Sequence, residues 1–168
     1  MKRPNRPRPW APGPWSTLLL AFLAASCQDP ALTDQQQELP DARWSMADTV
    51  SFLFEAPGPE QAFRMWVRLR HNADYPYSNI WLFVRTTAPN GSVEQDTLQH
   101  DLALPDGQWL GEGSDPYRLD LLYLPAVRFA MPGTYRFDIV HGMRDPTLQG
   151  VEAVGLWLPQ LAQEPAQP

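Results

Sequence analysis

The chain has 168 residues, with 13 Lys and Arg against 19 Asp and Glu, one Cys and 19 Pro. That length suits one domain with a real core, and 43% hydrophobic with 11% aromatic residues excludes a disordered chain. Prolines spread from end to end argue against an all-helical fold, and a lone Cys excludes both a disulfide framework and a Cys-rich zinc site.

Taken in chain order, the first element is a leader. Lys2, Arg3, Arg6 and Arg8 precede an apolar run from Leu18 to Ala25, which ends at Ser26 and Cys27. A basic start, a short apolar run and small residues before a boundary predict a secretory signal peptide over residues 1–26. The run is about half of the roughly 20 residues needed to span a bilayer. Leu23-Ala24-Ala25-Ser26-Cys27 resembles a bacterial lipobox, so Cys27 is the expected lipid attachment. Two or three acyl chains there would hold the protein stably at a membrane, which one chain does not. Loss of the leader leaves nine Arg against 19 acids, a net charge of −10. Phosphate backbones repel such a domain, which excludes nucleic acid as a partner.

Residues 27–43 are polar and Gln-rich and are expected to form the lipidated Cys and a flexible tether. Residues 159–168 are expected to be a disordered tail. The body, residues 44–158, shows an apolar period of two. Val50, Phe52 and Phe54 share a face. Phe63, Met65, Val67 and Leu69 alternate with Arg64, Trp66, Arg68 and Arg70. Ile80, Leu82 and Val84 alternate with Trp81, Phe83 and Arg85. Further strands run through Tyr117, Leu119 and Leu121, through Tyr135, Phe137 and Ile139, and from near Val151 to Leu158. Turn signals fall between them at Pro57-Gly58-Pro59, Pro89-Asn90-Gly91, Pro105-Asp106-Gly107 and Pro132-Gly133. This pattern predicts an all-β, antiparallel β-sandwich of about seven to nine strands, jelly-roll or immunoglobulin-like. A three-residue loop at Pro89-Asn90-Gly91 is expected, because it sets Leu82 opposite Leu98, whereas a two-residue loop would set it opposite Gln99 and turn every side chain over.

Chemistry is sparse. The histidines at 71, 100 and 141 lie on separate segments without metal-ligand spacing. His71, Asp74 and Ser78 contain the residue types of a hydrolase but no Gly-x-Ser-x-Gly elbow accompanies them. The loop containing Asp74, Tyr75, Pro76, Tyr77 and Asn79 is more informative. A proline stiffens it, and rigid aromatics on loops lose little entropy on binding, so it is either a contact surface or a cover for the end of the sandwich. Trp66, Trp81 and Phe83 point away from the expected core, with Arg68 and Arg85 placed to stack on them.

Several segments together resemble the gliding-motility lipoprotein family GldH of Bacteroidota. They are Trp44–Phe52, the run Arg70–Val84 with Asp74-Tyr75-Pro76-Tyr77-Ser78-Asn79 at its centre, Gly107–Gly111, Pro132–Phe137, and Met143–Leu156 with Arg144 and Asp145. The resemblance implies a noncatalytic lipoprotein of the cell envelope, most readily of the outer membrane, that acts in gliding. Its implied partners are other gliding-motility lipoproteins or type IX secretion components. It implies no enzymatic activity, cofactor, metal or small-molecule substrate. On this reading Asp74, Tyr75, Pro76, Tyr77, Asn79, Arg144 and Asp145 are the candidate partner-binding residues. The alternative is a surface glycan-binding domain using an aromatic surface of Trp66, Trp81 and Trp109.

Overall fold

The computed structural model describes residues 31–161; the expected signal peptide and the expected lipid attachment at Cys27 lie outside the described residues. Ten strands are present, at Ala31–Glu38 (β1), Arg43–Ser45 (β2), Val50–Ala56 (β3), Phe63–His71 (β4), Asn79–Thr87 (β5), Val93–Asp101 (β6), Tyr117–Val127 (β7), Gly133–His141 (β8), Thr147–Gln149 (β9) and Val151–Pro159 (β10). The only helical element among the described residues is a 3₁₀ turn at Pro40–Ala42.

Two four-stranded antiparallel sheets are ordered β1-β10-β4-β7 and β3-β8-β5-β6, and β2 pairs with β9 in a small ribbon. Counting the eight long strands in chain order, the sheets read 1-8-3-6 and 2-7-4-5. This is the jelly-roll arrangement, one of the two sandwich topologies that the sequence left open. Alternation accounts for the packing: in β4 Phe63, Met65, Val67, Leu69 and His71 are buried while Arg64 is exposed and Trp66, Arg68 and Arg70 are half-buried. Facing them, Ile80, Leu82 and Val84 of β5 and Tyr135, Phe137 and Ile139 of β8 complete the core.

The β5–β6 hairpin has the three-residue loop. Ala88 N–H donates to Ser92 O at 2.9 Å, Gly91 takes a φ of +83°, and Leu82 pairs with Leu98. A glycine adopts that left-handed conformation without the strain a side chain would bring, and so holds the register.

The tether expected over residues 27–43 is corrected by the structure. Residues 31–38 form β1 along β10, with Gln36 opposite Gly155 and Glu38 opposite Ala153, and residues 40–45 continue as the 3₁₀ turn and β2. An edge strand has little need of apolar residues when its backbone is paired and its side chains reach neighbours. Arg68 on β4 reaches across β10 to Asp34 on β1 and also binds Asp120 on β7, while Arg70 pairs with Glu38 and Glu152. Gly155 opens that path, since a Cβ there would lie 2.8 Å from Gln35 O and 3.2 Å from Arg68 Cβ. The expected tail is likewise shortened: Pro159 ends β10, and Leu161 N–H donates to Ala62 O at 2.8 Å.

Side chains also close both open flanks of the sandwich. On one, the Gln35 amide of β1 donates to Leu53 O of β3 at 2.8 Å. On the other, the Tyr123 hydroxyl of β7 donates to the Asp96 carboxylate of β6.

Candidate functional site: the loop-bearing end of the sandwich

β4 ends at His71, β8 ends at His141, and β5 and β10 begin at Asn79 and Val151. These strand ends lie together, because His71 pairs with both Val151 and Tyr117, and Asn79 pairs with Asp101. The connections that emerge there span 46–49, 72–78, 102–116 and 142–146. They come from segments far apart in the chain.

The loop after β4 is built around a buried post. Tyr75 is only 2% exposed, and its hydroxyl donates to Asn79 O at 2.9 Å. Asn72 starts the turn: its N–H donates to Gly150 O at 2.8 Å and its carbonyl accepts from Tyr75 N–H at 3.2 Å. Gly150, with a φ of +77°, is required because a Cβ there would collide with the Tyr75 backbone nitrogen. Around Tyr75 lies an aromatic cluster. The His71 ring sits 4.5 Å from Trp109 and 5.5 Å from both Tyr75 and Tyr117. Burial pushes the Tyr75 phenol well up from its ordinary value, so it stays a neutral donor.

A second anchor stands beside it. Trp44 is fully buried, with its Nε1–H donating to Asp48 O at 2.9 Å, which folds residues 45–48 into a turn. His141 Nε2 lies 3.1 Å from Trp44 O, and the two rings meet edge-on at 5.3 Å. Trp81 N–H donates to Met143 Sδ at 3.3 Å, which seats the start of the 142–146 loop. Burial lowers the pKa of both His71 and His141, and each keeps one ring nitrogen with no protein partner, His71 Nε2 and His141 Nδ1.

The two loops meet at the surface. The Tyr77 hydroxyl donates to Asp145 Oδ2 at 2.6 Å, and that bond raises the phenol's pKa. Asp74, Pro76, Arg144 and Asp145 are exposed around it, and Tyr77 and Asn79 are half-buried. The rim also presents Met46, Leu104 and Leu110, exposed apolar side chains on which the sequence pattern gave no information because they lie in loops without period. Met46 is held by its N–H to Pro146 O at 2.8 Å, and Leu110 by its N–H to Leu102 O at 2.8 Å.

Six of the seven candidate partner-binding residues therefore lie at or beside one rim, and Tyr75 does not. It carries the loop from beneath, so of the two readings the sequence left open Tyr75 takes the covering one, with its ring against His71 and its hydroxyl on Asn79 O. The trio His71, Asp74 and Ser78 forms no relay, because His71 Nδ1 faces Asn72 O at 3.1 Å and neither ring nitrogen is hydrogen-bonded to Asp74 or Ser78. Among the described residues no group of three His, Cys, Asp or Glu is placed to hold a metal ion.

Trp66, Trp81 and Trp109 do not form one surface. Trp66 stacks on Trp157 outside the first sheet, at 6.3 Å, with Arg68 over Trp157 at 4.5 Å. Trp81 is 40% exposed on the second sheet beside Phe83, at 49%, and Trp109 is packed in the aromatic cluster.

Comparison with known proteins places these loops in a family. The family model described as GldH lipoprotein matches residues 31–158, from the first residue of β1 to the penultimate residue of β10. The chain belongs to the GldH lipoprotein family. It is 32% identical over 139 residues to the gliding motility lipoprotein GldH of Flavobacterium johnsoniae, covering 82% of this chain and 86% of that protein. It is 30% identical over 142 residues to the gliding motility lipoprotein GldH homolog of Christiangramia forsetii, covering 80% and 86%. Among solved structures, the VP2 subviral particle of infectious bursal disease virus is matched with a TM-score of 0.37 and 11% identity, over 80% of this chain and 34% of that one, a likeness too slight to carry an argument. The GldH domain thus includes β1. Of the segments by which the sequence resembles the family, 44–52, 70–84, 107–111 and 143–156 contribute to this end of the sandwich, while 132–137 starts β8 at the opposite end.

Proposed function

We propose that this GldH-family chain is a noncatalytic lipoprotein of the gliding apparatus in the outer membrane, acylated at Cys27 and linked to type IX secretion through protein contacts. The observation that carries the proposal is convergence. Loops from four distant segments are held rigidly by Tyr75, Trp44 and Gly150, and together present an acidic rim dotted with Met46, Tyr77, Leu104 and Leu110. A rigid rim mixing exposed apolar side chains, one phenol and fixed charges suits protein recognition, since little ordering entropy is lost on docking. Nothing in it resembles a catalytic relay.

The test separates docking from folding. A Tyr77→Ala/Arg144→Ala chain, supplied as the sole copy, is expected to keep its thermal unfolding midpoint within about 4–8 °C of the parent and to stay in the membrane fraction. It should nonetheless lose colony spreading and the envelope proteins that co-purify with the parent. Undiminished spreading would contradict the assignment. The anchor is tested separately, since a Cys27→Ser chain should leave the membrane fraction and take up no labelled palmitate.

A further inference from the structure

The two ends of the sandwich differ in chemistry and in their relation to the anchor. Ala31 pairs with Pro159, at the end of β10 opposite Val151, and the adjoining Gln160 bridges to Phe63 at the start of β4. The chain therefore enters the domain at the end bearing loops 57–62, 88–92 and 128–132, away from the docking rim. From Cys27 to Ala31 there are four residue steps, which span at most about 14 Å of extended chain. The entry loops contain one acid, Glu60, and one base, Arg128, and are formally neutral. Arg128 fastens them together by donating to Pro59 O at 3.1 Å and Glu60 O at 3.0 Å. A cleft of about 330 Å³ at this end is lined by Met65, Val127, Phe129 and Met131, with Glu94 and Asp96 on the neighbouring strand β6. The connections at the far end (39–42, 46–49, 72–78, 102–116 and 142–146) hold seven acids and one Arg.

We infer that the domain stands upright on a lipid surface. Its entry loops face the head groups, and its acidic rim is held about 30 Å out by the length of a nine-residue strand. The inference rests on acylation at Cys27. A short leash keeps the neutral end at the bilayer, and like-charge repulsion from anionic head groups turns the acidic end away. Docking partners would then meet the rim from the aqueous side rather than from within the lipid plane.

The experiment uses the full lipoprotein reconstituted in vesicles of phosphatidylethanolamine and phosphatidylglycerol carrying spin-labelled head groups. A fluorophore is attached through an azide-bearing residue incorporated at position 90 or at position 106, so that Cys27 keeps its lipid. The expected result is at least twofold quenching at position 90 and none detectable at position 106. Inserting twenty Gly and Ser residues between Pro30 and Ala31 should abolish most of the quenching while leaving the protein on the vesicles. Quenching at 106 equal to that at 90, or indifference to the longer leash, would overturn the orientation while leaving the anchor intact. A protein that fails to float with the vesicles would overturn the anchor and the orientation together.

Discussion

Tyr75 and Tyr77 are two residues apart and do opposite work. The first is a buried strut with its hydroxyl committed to Asn79 O, and the second closes the rim through Asp145. Tyr75→Ala should cost about 3–5 kcal/mol of stability, as for other buried aromatic truncations, whereas Tyr75→Phe should cost about 1 kcal/mol for the lost hydrogen bond; urea unfolding measures both. An equal, small loss for the two would contradict the strut. The histidines give a pH dependence with a definite sign. His71 and His141 are buried, and desolvation lowers their pKa below the ordinary 6.5. The unfolded chain therefore binds more protons than the folded one in the window below 6.5, and stability falls as pH falls through it. Each histidine can contribute a slope of at most about 1.4 kcal/mol per pH unit. Urea midpoints from pH 7.5 down to pH 5.5 should decrease, and a flat profile would show that neither ring is held neutral. Tyr75 as a strut was not legible in the sequence. Its burial needs Trp109 and Gly150, which arrive from two distant segments, and a Tyr-Pro-Tyr loop looks the same whether its rings face in or out.

At the level of elements, alternation revealed the strands with one face on the core, including β3, β4, β5, β7, β8 and β10. It also fixed the β5–β6 register through the choice of loop length. β1 escaped because its sequence, Ala-Leu-Thr-Asp-Gln-Gln-Gln-Glu, is that of an edge strand. It is held by its backbone pairing to β10, by Arg68 and Arg70, and by Gln35 reaching the other sheet, all partners distant in sequence. The opening that lets Arg68 cross β10 is a glycine, whose lack of a side chain leaves no periodic signal. Gly155→Ala should push β1 away from β10 at Gln35 and raise amide hydrogen exchange across residues 32–38 at least tenfold, with β5 and β8 unchanged. Exchange rates equal to those of the parent would show that β1 does not depend on the gap. Arg68→Ala should act on the same strand by about 1–2 kcal/mol, through two ion pairs and the stack on Trp157.

For the whole molecule, the jelly roll separates its chemistry by end. A neutral end receives the chain at Ala31, and the opposite end gathers four of the five segments by which the sequence resembles the family. Residues 44–52, 70–84 and 143–156 are separate in the chain, so their likeness to GldH proteins says nothing by itself about their meeting; the sheet order brings them together. Partner binding at that rim is the central claim, and site-specific photo-crosslinking in the native envelope tests it most directly. A photoreactive residue incorporated at position 144 should yield discrete protein adducts on irradiation, resolved as shifted bands and identified by mass spectrometry, while the same residue at position 90 should yield none. Protein adducts from position 90 with none from position 144 would contradict the account.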